Sequence, residues 1–317
     1  MPSPAPDAPV VVALGGNAIL RRGESGTIEQ QEAHAAEALA PVADLVAGGT
    51  RVVLTHGNGP VVGNIVERGE AARARIAPMP LWIAGADSQG GIGSMLQLTL
   101  RNLLVERGAA SDVVTLVTHV VVDRADPAFA RPTKPIGPWY AAEQARDLSS
   151  AEGWTMREVP GCGWRRVVPS PAPLALVEID SVSSLSAAGH TVIAAGGGGI
   201  PVERRADGSL CGIAAVVDKD ATAALLARAL GASTLVILME ADAVYASFGT
   251  PEARRIARLT PEEASRLAAS GEFDSGSIAP KLAAAADFAR SGGEAVVCSA
   301  GRLAEALAGA AGTHFVG

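Results

Sequence analysis

Short β-branched runs alternate with Ala/Leu-rich stretches along the whole chain. VVVAL (10–14), RVVLT (51–55), VVTLVTHVVV (113–122), TVIAA (191–195), TLVIL (234–238) and EAVVCS (294–299) have no polar alternation, which predicts strands buried on both faces. Between the first two, Thr27 and Gln30 are spaced as a capping box, and an Ala-rich helix follows to Gly48-Gly49. Leu96, Leu100, Leu103 and Leu104 make a helical stripe that predicts an amphipathic helix from about 94 to 107. Thr260, Pro261 and Glu263 supply a cap, a helix-start proline and a box acid. The pattern is that of an α/β protein with a mainly parallel sheet.

The segment from about 124 to 173 interrupts the alternation. It carries prolines at 127, 132, 135, 138, 160, 169, 171 and 173, together with Trp139, Trp154 and Trp164. An insertion of this size inside a compact domain is functional or disordered, and three tryptophans favour a small folded flap that closes over a site. Residues 1–9 read as a short, flexible, proline-rich tail.

The chain has 317 residues, 48% hydrophobic and 19% charged, with a net charge of −7. That length buries a sizeable core, and the acidic balance gives no footprint for nucleic acid. No apolar run approaches the roughly 18 residues needed to span a bilayer, and the N-terminal segment lacks the positive region and apolar core of a secretory signal. Cys162, Cys211 and Cys298 are widely separated, without metal-binding spacing, and read as reduced thiols of a cytoplasmic protein.

Of 26 basic residues other than histidine, only Lys134, Lys219 and Lys281 are lysine. A chain that writes nearly every positive charge as arginine keeps lysine where a compact, mobile point charge is needed. All three stand among Gly, Pro or carboxylate residues, in PTKPIGPWY (132–140), VVDKDA (216–221) and GSIAPK (276–281). ALGGNA (13–18), THGNGPVVG (55–63) and AAGGGGIPV (194–202) each follow a predicted strand, where backbone N–H groups can converge on an anion. Neither the dinucleotide fingerprint G-x-G-x-x-G in the first βα turn nor a P-loop is present, so phosphate binding here uses another scaffold.

GGNA, THGNGP, PTKPIGP, GWRRVVPSP (163–171), GGGGIPV, DKDAT and the P-K of GSIAPK occur in an order that resembles the carbamate kinases of the amino acid kinase family. The resemblance spans 13–281, and the final GTHFV is similar to the family's last strand. It implies a three-layer αβα sandwich around a mainly parallel sheet, with a small protruding flap. It also implies a carbamate-side lobe over about 10–212, containing the flap, and a nucleotide-side lobe over about 213–317. The implied activity is reversible phosphoryl transfer between ATP and carbamate, giving ADP and carbamoyl phosphate. Magnesium would accompany the nucleotide, held mainly by its phosphates, and the enzyme would be a homodimer serving arginine or related nitrogen metabolism.

The loose transition state of phosphoryl transfer makes catalysis a matter of positioning and charge. Lys219 and Lys281 are expected to flank the transferred group, Asp220 to aim them, and Lys134 to arrive with the flap at the acceptor end. Asp218 either orients Lys219 or caps the following helix. Asn17 and Asn58, with Gly15, Gly16, Gly57 and Gly59, are expected to donate hydrogen bonds to carbamate and phosphoryl oxygens. Carbamate is already a nucleophilic anion and needs no general base, so His56 reads as structural. Asp242, Val244 and Tyr245, with Ile278, Ala279 and Lys281, resemble the nucleotide edge; Tyr245 either packs or meets the adenine ring.

The sequence departs from the family pattern at Val61, Gly91, Ser94, Met239-Glu240-Ala241 and Ile278. Valine at 61 removes the donors and acceptor of a glutamine, which opens the reading of an enzyme with a different small carboxylate or carbamate acceptor. A nucleotide-binding regulator on the same fold, binding ATP without turnover, is a second alternative.

Overall fold

The structure is a computed structural model that describes residues 8–21, 24–270 and 278–317. Residues 1–7 of the predicted tail and the first two residues of GSIAPK lie outside the described residues. Among the described residues, eight strands form the central sheet in the order Arg258–Leu259, Thr313–Phe315, Glu294–Cys298, Thr234–Leu238, Val10–Leu14, Val52–His56, Thr191–Ile193 and Val113–Thr115. All neighbours pair in parallel except Thr313–Phe315 against Glu294–Cys298. The two proposed lobes therefore share one continuous sheet, joined where Val10–Leu14 pairs with Thr234–Leu238.

The uniformly apolar strands follow from burial on both faces. Side chains alternate across a strand, so Val11, Ala13, Val53, Leu235, Ile237 and Val297 meet Ala223, Leu226, Leu282 and Phe288 on one side. Val10, Val12, Leu14, Leu54, Val236 and Leu238 meet Leu39, Leu96, Leu100 and Leu104 on the other. Helices Lys219–Ala229 and Ile278–Arg290 cover the first face, and Ile28–Ala47 and Leu81–Glu106 the second, which makes three layers. Both capping boxes form: Thr27 with Gln30, and Thr260 with Glu263.

Two predicted elements differ. The run 113–122 is not one strand but two, Val113–Thr115 in the central sheet and His119–Val121 in a second, four-stranded sheet. The Gln89 side chain intervenes, accepting from Thr118 N at 2.9 Å and donating to Thr118 O at 3.1 Å, so the backbone turns there without leaving polar groups unpaired. The stripe predicted to start near 94 belongs to a helix that begins at Leu81. Its glycine-rich N-terminal half hides the periodicity. One of those glycines is a packing necessity, since a Cβ on Gly93 would stand 2.3 Å from Thr115 Cγ2.

The interrupted segment is ordered. Lys134–Tyr140, Gly163–Val168 and Met156–Val159 form an antiparallel three-stranded sheet, with helix Ala142–Glu152 beside it. Arg73 ties this flap to the body, donating to Glu70 at 2.8 Å and to Glu152 of the flap helix at 2.5 Å. The backbones also approach closely, because a Cβ on Gly63 would lie 3.2 Å from Gly137 N.

The chain leaves Val10–Leu14 toward Val52–His56 on one side and later enters Thr234–Leu238 on the other, so a crevice opens at the carboxyl ends of Val10–Leu14 and Thr234–Leu238. In open α/β sheets ligands bind at such a switch point. The turn at Gly196–Gly198 walls this crevice. Gly198 has φ +91°, and an added Cβ would lie 2.3 Å from the carbonyl oxygen of Val217. Gly198→Ala is expected to destabilise the protein by about 1–3 kcal/mol, read as a lower urea midpoint at unchanged slope. An unchanged midpoint would show that the turn is not under this constraint.

Candidate active site

Helix Lys219–Ala229 begins at the crevice, and Asp218 caps it: Oδ1 accepts from Asp220 N at 2.9 Å and from Ala221 N at 3.3 Å. Its other oxygen accepts from Lys134 Nζ at 2.8 Å. Of the two roles open to Asp218, the structure therefore shows capping, and its lysine partner is Lys134 rather than Lys219. Lys219 is the first helical residue and Lys281 lies in the first turn of Ile278–Arg290. Asp220, only 3% exposed, sits between them, with Oδ1 2.5 Å from Lys219 Nζ and Oδ2 3.1 Å from Lys281 Nζ.

Burial alone pushes the Asp220 carboxyl up, but Lys219 and Lys281 outweigh it and hold the group below its ordinary range, hence ionised. Burial and the neighbouring Lys219 charge lower Lys281, against the attraction of Asp220. The three lysines thus converge on two adjacent carboxylates.

The first two glycine turns interlock at this point. A Cβ on Gly57 would stand 2.8 Å from Gly16 N and 3.2 Å from Lys219 Cδ, so the lysine stem lies where a side chain would otherwise be. Gly15, Gly16, Gly57, Asn58 and Gly59 line the cavity with the three lysines, Asp218 and Asp220. Asn58 is buried and donates to Ser88 Oγ at 2.8 Å, which spends one amide hydrogen and fixes the side chain. Asn17 stands in the short turn Gly16–Ala18; its side chain lies outside the described residues.

The third glycine turn departs from expectation. Only Gly197 of it reaches the cavity, and Gly196–Gly198 are buried against the site's other walls. Added Cβ atoms would fall 2.2 Å from His56 Nε2 at Gly196 and 2.1 Å from Asn58 Nδ2 at Gly197. This turn is a packing hub that meets the cavity through Gly197. Ala195 opens it in a left-handed conformation, φ +54°, held by its N–H on Thr118 Oγ1 at 3.0 Å and by Thr55 Oγ1 on its carbonyl at 3.1 Å. Thr222 of the lysine-bearing helix donates to Gly198 O at 3.0 Å and ties the hub to that helix.

His56 is 1% exposed and does not line the cavity. Burial, with help from the Lys219 charge, pushes its imidazole down to about 4 against a hydrogen bond to Gly57 O. The ring is neutral and structural at neutral pH.

On the far side, Val244, Tyr245, Ile278 and Pro280 line the same cavity, with Met239, Glu240 and Ala241. Asp242 and Ala279 are not brought to its wall; Asp242 instead accepts from Tyr245 Oη at 2.9 Å. Tyr245 also lies 6.1 Å from the Phe248 ring, so packing accounts for its position while its ring still faces the cavity. Among the departures from the family pattern, Val61 packs into the core, Gly91 and Ser94 are exposed on their helix, and none of the three lines the cavity. The cavity measures about 2640 Å3. Thr133, Arg157 and Arg165 of the flap, not among the expected site residues, also line it; for Arg157 and Arg165 the signal is the alternation of two short strands.

An open, mainly parallel sheet with glycine turns and paired lysines at its switch point defines a class. The family model described as the amino acid kinase family matches residues 8–299, and the chain belongs to that family. Its relatives are more particular. A carbamate kinase of Pyrococcus horikoshii is 41% identical, covering 96% of this chain and 98% of its own, and one of Thermococcus kodakarensis is 43% identical, covering 97% and 98%. The carbamate kinase of Giardia lamblia bound to AMP-PNP superposes with a TM-score of 0.91 at 37% identity, over 98% of this chain and 99% of that one.

The buried His56 ties stability to pH. Its folded-state value, about 4, lies below the ordinary 6.5, so between these values the unfolded chain binds a proton that the folded chain does not. Stability is full above about 6.5 and is lost as pH falls toward 4, by about 3 kcal/mol. The depressed Asp220 adds a further loss at lower pH, as pH falls through its folded value. Urea unfolding at pH 7 and pH 4.5 is expected to show this loss, and His56→Gln to shrink it; an equal loss in the variant would remove His56 as the cause.

Proposed function

We propose that the cavity carries reversible phosphoryl transfer between ATP and carbamate, giving ADP and carbamoyl phosphate. The observation that carries this reading is Asp220 held between Lys219 and Lys281, with Lys134 poised on the adjacent Asp218. A carbamate oxygen attacks the γ-phosphorus as the bond to the ADP oxygen breaks, and no proton has to move because carbamate is an anion. Charge gathers on the bridging and equatorial oxygens, where two aimed ammonium groups stabilise it.

Nucleotide lies against Val244, Tyr245 and Ile278, on the side formed by 213–317. Carbamate lies against Gly15, Gly16, Gly57, Asn58, Gly59 and Asn17, on the side formed by 10–212. Lys134 travels with the flap and exchanges Asp218 for the acceptor end of the substrate. Asp220 is spent on Lys219 and Lys281 and Oδ1 of Asp218 on helix amides, so a magnesium ion that accompanies the nucleotide is left mainly to its phosphates. The reading includes a cytoplasmic homodimer, and among the described residues no helix is long and apolar enough to cross a membrane. The position of Val61, Gly91 and Ser94 away from the cavity supports carbamate over a different acceptor.

Purified protein given ADP, magnesium and carbamoyl phosphate is expected to form ATP, with kcat about 100-fold lower or worse in Lys219→Ala. Lys219→Arg is expected to lose at least about tenfold, because the planar fork cannot occupy the space beside Gly57 and still meet Asp220. Nucleotide binding without ATP formation would instead favour a regulator on this fold. Near-full activity of Lys219→Arg would remove the argument for lysine.

A further inference from the structure

Met156–Val159 and Gly163–Val168 pair antiparallel, with Arg157 directly opposite Arg165. Residues opposite one another share a face, and the alternation continues on both strands: Arg157, Val159, Arg165 and Val167 all line the cavity. Two guanidinium groups therefore stand side by side on the cavity-facing side of the flap. Like charges directly opposite in a sheet are destabilising unless something between them carries the other sign.

No ion pair among the described residues supplies it. Among the described residues neither arginine has a carboxylate within ion-pair reach. Arg157 donates to Pro132 O at 3.4 Å, and Arg165 donates to Gly137 O at 2.8 Å and lies 5.2 Å from the Trp139 ring centre. The Nε of Arg165 is buried without a partner. Each guanidinium has five N–H donors, so most remain unspent.

The next residue in the same strand shows what compensation looks like. Arg166 points to the other face and lies over the Trp154 ring at 4.0 Å; burial lowers its pKa too, but there Glu70 and Glu152 oppose the shift. For Arg165, burial acts alone and lowers it. The uncompensated pair is thus confined to the face that looks into the cavity.

We propose that Arg157 and Arg165 form a second oxyanion-binding subsite, on the underside of the flap and separate from the three-lysine centre, for phosphate or a small carboxylate. Guanidinium forks match the geometry of both anions, and an anion between them removes the cross-strand repulsion. An occupied subsite joins two strands of the flap to a ligand in the cavity. The proposal concerns binding and holds whether or not the acceptor is carbamate.

Trp139, against Arg165, provides the readout. Inorganic phosphate titrated into the full chain, with the Trp139→Phe variant subtracted, is expected to give a saturable change in tryptophan emission. Affinity is expected to fall by about tenfold or more in Arg157→Gln/Arg165→Gln and to stay within about threefold in Lys219→Gln. Malonate in place of phosphate distinguishes the two sources: saturation by either anion with this pattern of variants supports the subsite, and the tighter one names its ligand. Should the double variant not fold, the exposed Arg157 allows Arg157→Glu, which sets a carboxylate opposite Arg165 and is expected to abolish the signal. No saturable change with either anion would overturn the proposal. So would a response lost in Lys219→Gln but kept in the double variant, since the anion would then lie at the lysine centre.

Discussion

Two ammonium groups brought to one point at the start of a helix repel each other and also meet the positive end of the helix dipole. Asp220 makes that arrangement tenable. It binds Lys219 and Lys281 through separate oxygens while almost wholly buried, so water does little to screen either the repulsion or the attraction. Much of the surrounding structure serves this contact. Asp218 caps the helix so that residues 219 and 220 begin it, Gly57 leaves room for the Lys219 stem, and Thr222 fastens the same helix to the Gly196–Gly198 hub. A carboxylate buried with two cations is strongly coupled to its neighbours, and displacement of any one of these supports is felt at the lysines.

The sheet accounts for where this happens. Parallel strands end on one side together, and the glycine turns after Val10–Leu14 and Val52–His56 emerge next to each other because those strands are neighbours. Thr234–Leu238 emerges on the other flank of Val10–Leu14, so residues about 200 positions apart in sequence face the same crevice. The charged helix crosses between them. A ligand bound there touches both halves of the chain, which suits a reaction that joins two substrates.

How far the sequence revealed this depended on whether a feature was local. Uniformly apolar strands, capping boxes and three lysines in an arginine-rich chain are signals carried by adjacent residues, and the structure places them together. The purpose of GGGG at 196–199 was not local. Those glycines yield to His56, Asn58 and Val217, which meet them only in the folded chain, and an anion cradle and a packing hub look the same as sequence. The run 113–122 misled for a similar reason, since the side chain that divides it, Gln89, lies about 29 positions away. In the flap, prolines masked an ordinary antiparallel sheet, and with it the pairing of Arg157 with Arg165.

Charge balance connects these parts. Among the described residues Lys134, Lys219 and Lys281 form ion pairs only with Asp218 and Asp220, and Asp218 also carries two helix amides. These groups leave the centre with more ammonium than carboxylate charge, and Arg157 and Arg165, which also line the cavity, add to the excess. A site balanced to neutrality would be more stable when empty and weaker toward a polyanion, because every phosphate oxygen would have to displace a carboxylate. Here only Lys134, on the flap, and its bond to Asp218 stand in the way of that exchange. Lys219 and Lys281 keep their shared carboxylate and still present free N–H donors, since an ammonium has three and Asp220 takes one from each. Lysine permits this division of labour at short range, and arginine, which presents its donors in one rigid plane, does not.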